Sequence, residues 1–189
     1  MLLSKIYCLD LGFVAAISSH NDCQKLVDIA NELMNPIQAD KKMFSLASLT
    51  MLIKCPLFIQ LHLSQFGFMI LNTKNPDELE AYVPNETEIC SPDLETSRLI
   101  SDDMKRTTSA LFINPKAYQA DGCDKFISQV MTPINTYTTI VVHGSYHQWQ
   151  RLVSQQGLPH PLEAYRSAVN QIILTEWNHD KIQRFKEQD

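Results

Sequence analysis

Glycine is scarce in this chain, with five in 189 residues. That leaves little backbone for loops that cradle phosphates, and neither a G-x-G-x-x-G run nor a P-loop occurs. Arginine is scarce as well. Only Arg98, Arg106, Arg151, Arg166 and Arg184 stand among 16 basic residues, and the net charge is −5. No basic stripe forms, so a nucleic-acid grip is excluded. A protein that clamps several phosphates would also carry more guanidinium groups. The five cysteines, Cys8, Cys23, Cys55, Cys90 and Cys123, are far apart, odd in number and without a C-x-x-C. They read as reduced, packed residues of a cytoplasmic protein and not as a zinc or redox set. No apolar run approaches the ~18 residues that span a membrane. Asp10 interrupts the apolar N-terminal stretch, so a secretory signal is not expected. Without secretion, the sequon Asn85-Glu86-Thr87 has no use as a glycosylation site.

What is present is a chain able to build a core. It is 44% hydrophobic and 20% charged, with no repeat and no low-complexity tract. These values exclude disorder, and the length fits one large domain or two small ones; a single domain over residues 1–189 is expected. Leu2–Leu9 reads as a first strand. Residues 22–34 read as a helix, because Leu26, Ile29, Ala30 and Leu33 recur at helical spacing, and Asn35-Pro36 ends it. Ser48–Lys54 reads as a strand. Pro56 then suits a first helical turn, and the helix over 56–65 is apolar nearly all round, as a buried helix would be. The stretch 72–92, rich in Pro, Asn, Asp and Glu, reads as a long loop. Residues 93–131 read as helix in two pieces, broken near Asn114-Pro115. Thr136–Val142 is the best strand, β-branched and aromatic, with Gly144 turning it. Ser145 and Gln148 form a capping box for a helix through Gln155. Pro161 opens a last long helix to about Lys186. The expected fold class is therefore α/β (α+β), a small sheet packed with long helices.

Residues that could carry chemistry stay isolated. His143 and His147 are four apart but straddle a strand-to-helix turn, so they share no helical face for a metal. Asp102-Asp103 and the acids Asp77, Glu78 and Glu80 read as solvated faces. Cys55 stands at a helix start, where a thiol pKa can fall, but its apolar setting argues for burial. Phe58 and Met69 read as core. Composition and spacing thus show no catalytic apparatus.

Three segments, in order, resemble the flavin-dependent thymidylate synthases. In Phe44–Phe58, the residues Phe44, Thr50, Ile53, Lys54, Pro56 and Phe58 match that family's strand-then-helix motif. Tyr82-Val83-Pro84 follows, as the family's F-Y-x-P does. Pro133, Asn135, Thr136, Tyr137 and Thr138 resemble its L-P-x-x-T-Y-T strand, and Arg166 stands where the family has the arginine of A-Q-x-E-I-R. The resemblance covers about residues 40 to 175. It implies a mostly antiparallel sheet with long helices and a homotetramer with sites between subunits. It also implies FAD, dUMP, methylene-tetrahydrofolate and NADPH as ligands, for methylation at uracil C5.

The family's signature R-H-R-x7-S does not carry over. Its positions hold Gln65, Phe66, Gly67 and Asn75, and only Asn72 matches within it. Family arginines flanking the L-P-x-x-T-Y-T strand align with Gln129 and Gln156. The implied cofactor positions are thus Gln65, Asn72 and Asn75, and the implied nucleotide positions are Arg166, Gln129 and Gln156. FAD, dUMP and folate are anions, and guanidinium holds anions by paired, charge-assisted hydrogen bonds. Each Arg-to-Gln change in such a site costs on the order of 2–3 kcal/mol. Three readings follow. The first is a non-catalytic structural or regulatory subunit, in a homo-oligomer or beside an active paralogue. The second is an altered enzyme acting on a pyrimidine deoxynucleotide. The third is an unrelated α/β protein-binding module. Arg166 also has a plain alternative, an ion pair with Glu163 one helical turn away.

Overall fold

The computed structural model describes residues 4–20, 48–73, 80–89, 93–123 and 133–176. The helix expected over 22–34 lies outside these residues, as do Asn75 and Gln129. The chain divides into two compact units. One comprises Met1–Cys55, Ile59–Lys74 and Thr139–Asp189, and the other Pro56–Phe58 and Asn75–Thr138.

The first unit is built on a five-stranded antiparallel sheet. Its strands are β1 (Ser4–Cys8), β2 (Gly12–His20), β3 (Ser48–Pro56), β4 (Met69–Asn72) and β5 (Tyr137–Ser145), in the order β1-β2-β3-β5-β4. The helices among the described residues are α1 (Leu57–Ser64), α2 (Leu94–Ala120), α3 (Tyr146–Val153) and α4 (His160–Glu176). The mixed α/β class and the antiparallel sheet agree with the sequence reading.

Strand alternation explains the core. Along β3, Leu49, Met51, Ile53 and Cys55 are buried while Ser48, Thr50, Leu52 and Lys54 are half-buried. Ile140, Val142 and Gly144 do the same on β5, because successive side chains of a strand point to opposite faces. Helix α4 packs on β1 and β2, with α3 beside it. It buries Tyr165, Ala168, Val169, Ile172 and Ile173, which recur at helical spacing.

β2 was not legible as a strand. Asp10 reads as an interruption of an apolar stretch, yet it sits in the tight turn that joins β1 to β2. Its carboxylate accepts the Leu11 N–H at 2.8 Å, and Leu9 takes the left-handed region at φ 55°. No Asn-Gly or Asp-Gly pair marks this hairpin. β4 was also missed. Met69, expected in the core, is 63% exposed on this edge strand. Four residues carry too little pattern to announce a strand. Phe58 is half-buried, its ring 6.1 Å from that of Tyr82.

Other boundaries moved for identifiable reasons. Pro56 ends β3 instead of opening α1. α1 buries only Ile59 and Leu63, and Leu61 is exposed, so it is less enclosed than its composition implied. Gly144 does not turn β5. It lies buried within the strand, where a Cβ would run into the Phe68 ring and come 3.1 Å from Trp149 Nε1. The turn follows at Ser145, where the expected capping box forms. Gln148 Oε1 accepts the Ser145 N–H at 2.8 Å and its hydroxyl at 3.1 Å. The same amide's Nε2 donates to the Gly67 carbonyl at 2.5 Å, so one side chain ties the start of α3 to the turn after α1. Gln148→Leu keeps the volume but orphans both partners. A loss of about 1–2 kcal/mol is expected. It should be read in urea as a lower midpoint with an unchanged slope, and an unchanged midpoint would contradict the assignment.

In the second unit, α2 runs unbroken through Asn114-Pro115, against the two pieces expected. Pro115 removes one donor from the ladder, and the turns on either side carry the helix past it. Asp93 caps α2, its carboxylate accepting the Thr96 N–H at 2.7 Å and hydroxyl at 2.9 Å. Those bonds hold the Asp93 carboxyl below its usual range. Asn135 stitches this unit together. Its amide donates to the Tyr82 carbonyl at 2.8 Å and to the Thr108 hydroxyl at 3.3 Å. Its own carbonyl accepts the Tyr82 N–H at 2.9 Å.

Candidate functional site

The described positions singled out by the resemblance are Gln65, Asn72, Gln156 and Arg166, all in the first unit. Three of them stand on or beside elements that hydrogen bonds tie together, namely α1, the α3–α4 connection and α4. Gln65 follows α1, and its N–H donates to the His62 carbonyl at 3.2 Å. The His62 ring pairs through Nε2 with Gln155 Oε1 at 2.9 Å, next to Gln156. Arg166, on α4, donates through Nη1 to the Val153 carbonyl at the end of α3, at 2.8 Å. Asn72 is set apart at the end of β4, where its Oδ1 accepts from Gln60 Nε2 at 3.1 Å.

The guanidinium of Arg166 is occupied. Its Nε reaches Glu163 Oε2 at 2.7 Å and its Nη2 reaches Glu163 Oε1 at 2.5 Å, a bidentate fork. The hydrogen bonds from Arg166 hold the Glu163 carboxyl below the usual carboxylate range, and the same bonds raise the Arg166 pKa. Of the two roles open to Arg166, the ion pair with Glu163 is the arrangement found. Beside it, Ile53, Ile59, Leu63, Leu152, Tyr165 and Val169 line a small, largely apolar cavity.

Gln65 and Gln156 are exposed and uncharged. Among the four positions, only Arg166 bears charge, and a carboxylate already neutralises it. This set does not fit a dinucleotide pyrophosphate or a nucleotide monophosphate, both of which require open cationic donors.

Sequence reasoning passed over His62, Gln155 and Arg151. Arg151, exposed on α3, places its guanidinium 5.9 Å from the centre of the Phe66 ring. Helical phase could have signalled His62 and Arg151 but does not say which element lies opposite, and Gln155 lies past the end of α3.

Of the remaining candidates, Asp77 and Glu78 lie outside the described residues. His143 Nδ1 pairs with the Thr50 hydroxyl at 2.9 Å across neighbouring strands, while His147 is exposed on α3. Among the described residues, no group of His, Cys, Asp or Glu could hold a metal. Cys8, Cys55 and Cys123 are free thiols. Burial pushes the Cys8 thiol up to about 12 and raises Cys55 as well, the reverse of an activated nucleophile. Asp102 is half-buried, 3.6 Å from the Lys105 ammonium, and Asp103 is exposed. No helix among the described residues is long and apolar enough to cross a membrane. Neither a protein-family model nor a curated protein matches the chain.

Proposed function

We propose that this chain is a divergent, non-catalytic relative of the flavin-dependent thymidylate synthases. In this reading it serves as a structural or regulatory subunit, within a homo-oligomer or beside an active paralogue. One observation carries the reading. Arg166 is the single arginine retained at a family nucleotide position, and its fork is filled by Glu163 and the Val153 carbonyl. Two further facts support it. Gln65, Gln156 and Arg166 stand on or beside elements that hydrogen bonds tie together, His62 to Gln155 and Arg166 to the Val153 carbonyl. Yet two of the three lack the charge that an anionic ligand needs.

The test is direct. The purified chain should be colourless, and FAD and dUMP should leave its melting temperature unchanged. Mixed with an active flavin-dependent thymidylate synthase from the same source, it should co-elute in a larger assembly. Protein that arrives yellow with stoichiometric flavin would overturn the reading.

A further inference from the structure

The junction at Arg166 poses a narrower question, which rests on the reading above. An arginine in the first turns of a helix, beside a cavity, is well placed to receive an external anion. We infer that Glu163 is a built-in substitute for that anion, an internal contact that closes the Arg166 fork to ligands.

The geometry supports this in three ways. First, the contact has the form of ligand recognition. Two parallel N–H···O bonds at 2.7 and 2.5 Å, from Nε and Nη2, match the way guanidinium receives a carboxylate or phosphate. Second, the third bond, from Nη1 to the Val153 carbonyl at 2.8 Å, fixes the plane of the guanidinium. The fork is thereby aimed at Glu163 and cannot swing toward solvent without losing that bond. Third, Glu163 lies three residues before Arg166 on one helix. An external anion competes with an intramolecular one, whose effective concentration is at least millimolar.

The pair is not sealed from water. The Arg166 side chain is 22% exposed and that of Glu163 41%. Solvent therefore weakens the contact as a source of stability, while leaving the guanidinium reachable once the carboxylate is removed. Such a contact is worth little to folding and much to binding. Arg151, which lies over the Phe66 ring, has no part in the fork.

The test titrates inorganic phosphate against chloride at matched ionic strength and follows melting temperature and calorimetric binding. The wild-type chain should show no phosphate-specific effect. Glu163→Gln removes the charge and keeps the size, and it should raise phosphate affinity about tenfold or more. Glu163→Ala serves as an independent second variant, since this partly exposed position tolerates truncation. Adding Arg166→Gln to either variant should abolish the gain, whereas adding Arg151→Gln should leave it. Phosphate binding to the wild type that Arg166→Gln removes would overturn the inference. So would Glu163 variants that bind no better than wild type, or a gain that depends on Arg151. Each of these results can occur in a colourless chain, so the inference and the non-catalytic reading can fail separately.

Discussion

Trp149→Ala should lower the stability of the first unit by about 3–5 kcal/mol, a large fraction of the roughly 5–15 kcal/mol that a domain possesses. Trp149 is fully buried at the start of α3. Its ring packs on Phe68, centroid to centroid at 4.3 Å. Its indole N–H is shared between the Leu49 carbonyl at 3.2 Å and the Gly144 carbonyl at 3.1 Å. The side chain thus joins β3, β5 and the residue before β4 through a single point. Alanine would leave a cavity that the sheet cannot collapse to fill, because the backbone around it is held by the strand ladders. Trp149→Phe separates the two contributions. It keeps most of the apolar volume and removes the donor, so about 1–2 kcal/mol should be lost. Urea denaturation of the three proteins decides the matter. An alanine variant within about 1 kcal/mol of wild type would show that Trp149 does not organise this core.

Gly12→Ala should cost about 2–4 kcal/mol, and the cost should depend on Tyr165. Gly12 opens β2 and pairs with Cys8 across the hairpin. A Cβ there would meet the Tyr165 hydroxyl and lie 2.6 Å from the Cys8 carbonyl oxygen. The tyrosine could yield only by giving up its hydrogen bond to the Lys54 carbonyl, which is 2.7 Å long. The obstacle is contact, since the backbone angle of Gly12 is not in the left-handed region. Tyr165→Phe by itself should cost about 1 kcal/mol. Combined with Gly12→Ala, it should relieve part of the clash. The double variant should then be more stable than the sum of the single losses implies. The contact with Cys8 is to backbone and remains, so relief should be incomplete. Strict additivity would show that the alanine is accommodated without disturbing Tyr165.

Both predictions rest on residues that sequence reading misjudged or left unremarked. Gly144 reads as a turn because glycine is the commonest punctuation between elements. Its place is instead inside β5, where Phe68 leaves no room for a side chain. Tyr165 stands at a buried apolar position of α4. Nothing local revealed that its hydroxyl reaches β3. Asp10 read as a break in an apolar run, and it is a turn residue between paired strands. In each instance the deciding partner is remote in sequence.

The sequence by itself determined the local elements whose signal repeats over several residues. These are the apolar alternation of β3 and β5, the helical spacing in α4, and the capping box at Ser145 and Gln148. It also placed the scarcity of arginine at definite positions, so that Gln65, Gln156 and Arg166 could be compared with a family pattern. What those positions contact depends on the tertiary packing. It brings His62 against Gln155, and it gives Arg166 both Glu163 and the Val153 carbonyl. A periodic pattern fixes which face of an element is buried, since that depends on the residues of the element alone. The occupant of a guanidinium fork depends on which helix end is packed beside it, and that is settled only when the core closes.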